Sequence, residues 1–171
     1  MSVSSIADTR QYLTFRIGEE GFALDVSNVR EILEFTAITK VPKTPEYMRG
    51  VINLRGSVVP VLDMRLKFGL EEAKKTIDTC IVVLEVDIDG EKTIIGALVD
   101  SVQEVFELDP QHIEPAPKIG TRLRTDFIKG MGKRDDHFII ILNIDKVFSS
   151  EELNAVQGLE KNEQMMMAGN E

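Results

Sequence analysis

His112, His137, Cys80 and the carboxylates are the side chains in this sequence that could do chemistry, and their spacing argues against a catalytic set. His112 follows Asp109-Pro110, a turn signal, and His137 sits in a charged run, so neither has an evident carboxylate or nucleophile beside it. Cys80 lies inside the apolar run 77–86, where a thiol packs as a small hydrophobe, and no Cys-x-x-Cys exists to suggest redox work. Metal-ligand spacing is missing, and Gly130-x-Gly132 alone is too little for a phosphate-cradling loop. No cofactor is expected, and an enzyme is the weaker reading. What remains is Arg55. With Gly56 it separates two β-prone runs, 51–54 and 58–62, within the stretch 49–65. Gly56 can supply the positive φ of a tight hairpin loop, which places Arg55 at an exposed tip, where its planar donors can anchor a partner. A merely solvated turn residue is the competing reading. Pro60 has no amide to donate, so the returning strand is expected at a sheet edge or near its own end.

The elements around this hairpin follow from composition and periodicity. The 171 residues suffice for one domain or two small ones. Twenty-nine acidic residues against 20 basic ones give a net charge of -9, which disfavours a phosphate backbone, so no nucleic acid is expected. Residues 1–10 carry no apolar signal core, and no apolar run approaches the roughly 18 residues of a membrane span. A cytoplasmic protein without direct membrane insertion is expected. Residues 12–17 alternate as a strand, 18–21 turn, and 22–24 return. Val26, Val29 and Leu33, with Ile32 beside it, are spaced as one face of a short helix entering a strand by Glu34. One helical turn is expected over 64–68. The apolar segments 79–86 and 93–99, joined by Asp89-Gly90, read as a hairpin buried on both faces. Residues 101–108 follow, then a Pro-interrupted coil over 113–118 and a last hairpin from 127–131 and 138–144. Ser149-x-x-Glu152 reads as a capping box opening a C-terminal helix, with a loose tail beyond it. Val82, Leu84, Ile95, Leu98, Ile140 and Leu142 are the expected interior.

The chain also repeats itself. The pattern of 28–33 returns at 101–106, and that of 38–43 at 113–118. Arg49-Gly50-Val51 and Val61-Leu62-Asp63 recur at an unchanged offset as Lys129-Gly130-Met131 and Ile141-Leu142-Asn143, and Phe68 recurs as Phe148. Two copies of this size suggest two similar β-subdomains facing each other. The copies differ at the hairpin tip: Asn53-Leu54-Arg55-Gly56-Ser57 in the first, a fully polar Lys133-Arg134-Asp135-Asp136-His137 in the second. Function is therefore expected on the first.

Val29-x-Glu31-Ile32, Gly50-Val51-Ile52-Asn53-Leu54-Arg55-Gly56, Pro60-Val61-Leu62-Asp63, Gly96-Ala97-Leu98-Val99-Asp100, Pro115-Ala116-Pro117 and Leu142-Asn143-Ile144-Asp145-Lys146, in this order, resemble a CheW-type chemotaxis coupling (adaptor) protein. The resemblance spans about residues 12–152. It implies an all-β fold with short helices: two SH3-like five-stranded β-barrels related by a pseudo-two-fold, plus a C-terminal helix. In those terms 1–10 is a flexible leader, 11–150 is the domain, with barrels of about 18–76 and about 77–150 and strand 11–17 open to exchange between them, and 151–171 is helix and tail. It further implies a non-enzymatic scaffold that joins the cytoplasmic tips of chemoreceptors to the regulatory domain of a CheA-type histidine kinase. Such a chain would be a monomer alone, recruited from the cytoplasm to receptor arrays. The receptor contact carries over to Val29, Glu31, Gly50, Leu54, Arg55, Gly96, Val102 and Val105, and the kinase contact to Val26 and Ile32. For the valines a core role, and for the glycines a backbone role, stays open. So do a chemotaxis-like pathway with another output, such as pili, and a small-molecule-binding barrel.

Overall fold

The protein's structure, a computed structural model, describes residues 10–42, 44–71, 74–88, 90–115, 127–134 and 137–148. Strands β1 (Arg10–Ile17) and β2 (Glu20–Asp25) form a hairpin that turns through Gly18 at φ 64°. A 3-10 turn, Val26–Asn28, follows; the Asp25 carboxylate caps it by accepting from the Ser27 amide at 2.9 Å. Then come β3 (Val29–Glu34), β4 (Met48–Leu54), β5 (Ser57–Asp63) and the short helix α1 (Met64–Lys67), where the Asp63 carboxylate accepts from the Arg65 amide at 2.9 Å. Strands β6 (Cys80–Ile88), β7 (Glu91–Val99) and β8 (Ser101–Leu108) precede a second 3-10 turn, Pro110–His112. The described chain closes with β9 (Ile113–Glu114), β10 (Ile128–Arg134), β11 (His137–Leu142) and α2 (Ile144–Val147). The expected capping box, C-terminal helix and tail, residues 1–9 of the leader, and the second half (116–118) of the coil at 113–118 lie outside the described residues.

The helix expected from Val26 is confined to its single 3-10 turn, and β3 replaces the rest. The helical spacing has another cause. An extra residue in β3 between Val29 and Glu31 sets Val29 opposite Leu84 and Ile32 opposite Val82, so residues three apart share one face of a strand. The same bulge recurs in β8, where Val102 faces Phe15 and Val105 faces Leu13.

Two sheets result, ordered β3-β6-β7-β5-β4 and β8-β1-β2-β11-β10-β9. They are one order used twice, with an isolated Thr39–Val51 bridge standing in the first sheet where β9 pairs with β10 in the second. The parallel pairing of β5 with β7 matches that of β11 with β2. The register shift between Met48 and Gly50 recurs between Ile128 and Gly130. The duplication in the sequence is thus a duplication of two SH3-like barrels. Sheet membership nevertheless departs from the division expected near residue 76. The whole hairpin β1–β2, rather than strand 11–17 alone, belongs with β8–β11, while β6–β7 belongs with β3–β5. The charged connector before β6 looks like a boundary by composition, yet β6 and β7 complete the first sheet by pairing with β3 and β5. Pro60 also sits differently from expectation, in the middle of a strand that is internal to its sheet; β7 pairs only with Val61–Asp63, which leaves Pro60 with β4 alone.

Three apolar clusters fill this frame. Ile52, Val59, Val61, Ile81, Val83 and Leu98 pack inside the first barrel, and Tyr12, Ala23, Leu108 and Ile141 inside the second. The largest cluster lies between the barrels and takes Leu13, Phe15, Ile17, Phe22 and Leu24 from β1–β2 and Val82, Leu84, Val86, Ile95, Ala97 and Val99 from β6–β7. Central strands therefore alternate between two apolar environments, which is why they read as continuous apolar runs. Of the expected interior, Val82, Leu84, Ile95, Leu98 and Leu142 are buried. Ile140 is only half-buried at the rim of the shared layer, and its neighbour Ile141 is the fully buried one. Leu84→Ala, which opens a cavity in the shared layer, is expected to cost about 2–5 kcal/mol in urea unfolding, against less than about 0.5 kcal/mol for Val105→Ala on the exposed edge. Equal midpoints for the two variants would contradict this placement of the core.

Candidate functional site

The β4–β5 hairpin turns through two residues, Arg55 at φ 51° and Gly56 at φ 88°. Positive φ at both central positions is the two-residue turn that suits the right-handed twist of paired strands. Asn53 steadies it by accepting from the Gly56 amide at 2.8 Å. Arg55 thus holds a backbone conformation that costs any residue with a Cβ, and it is the only non-glycine at positive φ among the described residues. The tip is aimed by this conformation. Across the first sheet its guanidinium meets Glu31 in a two-toothed contact, Nη1 to Oε1 at 2.8 Å and Nη2 to Oε2 at 2.7 Å. Glu31 lies on β3, one edge of the sheet, and the tip extends from β4, the other edge. The pair therefore bridges the seam of the curled sheet.

Arg55 is nevertheless 74% exposed at its side chain, and Glu31 25%. Hydrogen bonding to Arg55 holds the Glu31 carboxyl below the usual glutamate range, and the same bond raises the guanidinium further. Both charges persist at any physiological pH. Beside the pair opens a concavity of about 660 Å³ whose floor includes Leu54, Val59, Val83 and Ile94 and whose rim carries Arg30, Glu31, Arg55 and Lys92. An apolar floor with a mixed-charge rim is the anatomy of a protein-docking surface rather than of an acid–base site.

The other expected residues fall into separate groups. Val29 and Val102, half-buried, border the shared apolar layer from β3 and β8, and Val26 does so from the 3-10 turn. Ile32 and Val105, their bulge-mates, are 45% and 50% exposed. Gly50 and Gly96 are buried, and backbone geometry explains both. A Cβ on Gly50, at φ 145°, would stand 2.1 Å from the Thr39 carbonyl oxygen, and one on Gly96 would stand 2.9 Å from Ile81 Cγ2. The structure therefore brings Glu31, Leu54 and Arg55 to one concavity and leaves the two glycines inside the fold. Arg30, Val58 and Lys92 join that concavity without having been singled out from sequence; exposed Val58, beside the tip, was the available signal. Among the described residues no group of three His, Cys, Asp or Glu could hold a metal. Burial pushes the Cys80 thiol upward, away from the thiolate that nucleophilic work needs.

The model of the CheW-like domain matches residues 11–152. The chain belongs to the CheW family. It is 33% identical over 152 residues to the chemotaxis protein CheW of Klebsiella aerogenes, covering 89% of each chain. It is 33% identical over 141 residues to that of Helicobacter pylori, covering 82% of each. The crystal structure of the scaffolding protein TtCheW from Thermoanaerobacter tengcongensis superposes with a TM-score of 0.73 at 37% identity, over 84% of this chain and 94% of that one. In the repeat of this CheW-family chain Glu104 and Asp135 align with Glu31 and Arg55, so the sequence of the second copy has no counterpart of this acid–base combination.

Arg55→Met is expected to return the Glu31 carboxyl to the ordinary glutamate range in an NMR titration. A folded-state value below the unfolded one means that the pair's stabilisation is present above the unfolded pKa and fades as pH falls through the folded one. The difference in Tm between wild type and Arg55→Met should therefore shrink in acid; a difference that grows would contradict the pairing.

Proposed function

We propose that the concavity framed by Glu31, Leu54 and Arg55 is where the cytoplasmic tip of a chemoreceptor docks, and that the exposed edge around Val26 and Ile32 receives the regulatory domain of the kinase. As a CheW-family protein the chain is a non-enzymatic scaffold in chemotaxis signalling, coupling receptors to the CheA-type histidine kinase. The observation that supports the assignment is the Arg55–Glu31 bridge: a guanidinium held in a strained turn, paired, and still three-quarters exposed beside an apolar floor. Val102 and Val105 extend the receptor surface along the second sheet, while Gly50 and Gly96 act through the backbone that shapes it. The monomer is recruited from the cytoplasm to arrays by several weak contacts acting together. Among the described residues no helix is long and apolar enough to cross a membrane.

Charge exchange tests the site. Arg55→Glu alone should lower receptor affinity by roughly 2 kcal/mol, about thirtyfold, and abolish receptor-dependent kinase phosphorylation while leaving the circular dichroism of the folded protein in place. The double exchange Glu31→Arg, Arg55→Glu restores the bridge with its charges displaced, and coupling should stay lost because the partner reads each charge where it stands. Lys133→Glu on β10, the same charge reversal near the end of the corresponding strand, is the control and should couple normally. Full coupling by the double exchange would reduce the bridge to a structural strut, and full coupling by Arg55→Glu would remove the tip from the interface.

A further inference from the structure

Among the described residues the chain crosses between the sheets twice, from β2 to β3 through the 3-10 turn and from β7 to β8 at Asp100. The matched registers of β1 with β8 and of β6 with β3 make Ile17 the counterpart of Val86, and Gly18 that of Asp87. At both positions the amide just past the buried end of a central strand is captured by a carboxylate from an element following a strand of the other sheet. The Gly18 amide donates to Asp100 Oδ2 at 2.6 Å, and the Asp87 amide to Asp145 Oδ1 at 2.9 Å. Two residues earlier the carbonyls are captured as well. The Asp100 amide donates to the Arg16 oxygen at 3.0 Å, and Asn28 Nδ2 to the Glu85 oxygen at 3.1 Å. Each crossing residue, Asp100 or Asn28, thus latches the end of the central strand that its next strand pairs with, and Asp145 adds a hold on Asp87 from the helical turn after β11 of the other sheet.

The two latches differ in one respect. In the repeat, Arg65 of α1 corresponds to Asp145 of α2. Arg65 Nη1 donates to the same Asp100 oxygen at 2.6 Å, and its Nε donates to the Glu71 carbonyl at 2.8 Å; side-chain exposures of 21% and 31% leave the ion pair largely out of water. Where the first latch has a carboxylate clamped by a guanidinium, the second has only the exposed Asp145 carboxylate, which no cation among the described residues pairs.

We propose that Asp100 is a positioning residue that fixes the angle between the barrels, and that the interface opens at the Asp145 side, with Asp100 as its pivot. Neither residue lines the docking concavity, so the inference stands apart from the receptor assignment. Native-state hydrogen exchange reads it directly: the Gly18 amide should be protected at least about tenfold more than the Asp87 amide. Spin labels at Glu34→Cys and Glu107→Cys, in a Cys80→Ser background, report the distance between the sheets. Asp100→Ala should broaden that distance distribution, whereas Asp145→Ala should speed exchange at Asp87 and leave the width unchanged. Should Asp100→Ala fail to fold, Arg65→Met, which keeps the carboxylate on Gly18, should still lower protection at Gly18 and widen the distribution by a smaller amount. Equal protection at the two amides, broadening by Asp145→Ala as large as by Asp100→Ala, or unchanged Gly18 protection in Arg65→Met would overturn the proposal.

Discussion

The apolar layer between the two barrels is the interaction on which the rest of this structure depends. Each barrel has its own small interior, yet the largest cluster belongs to neither, and it draws its side chains from one face of β1–β2 and one face of β6–β7. A strand that must satisfy two apolar environments alternates between them, as Ile81 and Val83 face inward while Val82, Leu84 and Val86 face the other barrel. Burying such side chains stabilises by about 1.5–3 kcal/mol each, so separating the barrels would forfeit much of the fold. The two barrels are therefore one cooperative unit.

That dependence also accounts for where the chain crosses. Because the central hairpin of each sheet packs on the other, the sequence leaves one barrel for the other at the ends of these hairpins, and the polar backbone exposed there is satisfied by Asp100, Asn28 and Asp145. The edge strands β3 and β8 are freed from the core by comparison. Both carry a bulge, both present an exposed β-branched residue, Ile32 or Val105, and both remain open to a partner.

Duplication supplies the frame, and the two copies differ in sequence at the hairpin tip. The same hairpin, register shift and helical turn occur twice, and the first copy joins its edges with opposite charges through Arg55 and Glu31. Arg55 reaches Glu31 because the turn places an arginine where glycine or asparagine would be more comfortable. The strain and the pair together fix a cation beside an apolar floor.

The sequence by itself determined most of the strands though not β3, β8 or β9, the hairpin turns at Gly18, Gly56 and Gly90, the duplication and the exposed arginine, because these follow from local φ preferences and a period of two. It misled at Val26–Leu33, where a bulge imitates helical spacing, since a strand with one extra residue places i and i+3 on the same face. The family resemblance marked Gly50 and Gly96 as candidate contacts, and at both a Cβ would meet neighbouring backbone or side chain. Only the tertiary structure decided which hairpin joins which barrel, that Glu31 is the partner of Arg55, and that Asp100 and Asp145 tie the barrels together. These are pairings between residues 24, 82 and 58 positions apart. Sequence spacing carries no trace of them, because they arise where two edges of a curled sheet, or two packed sheets, come within hydrogen-bond reach.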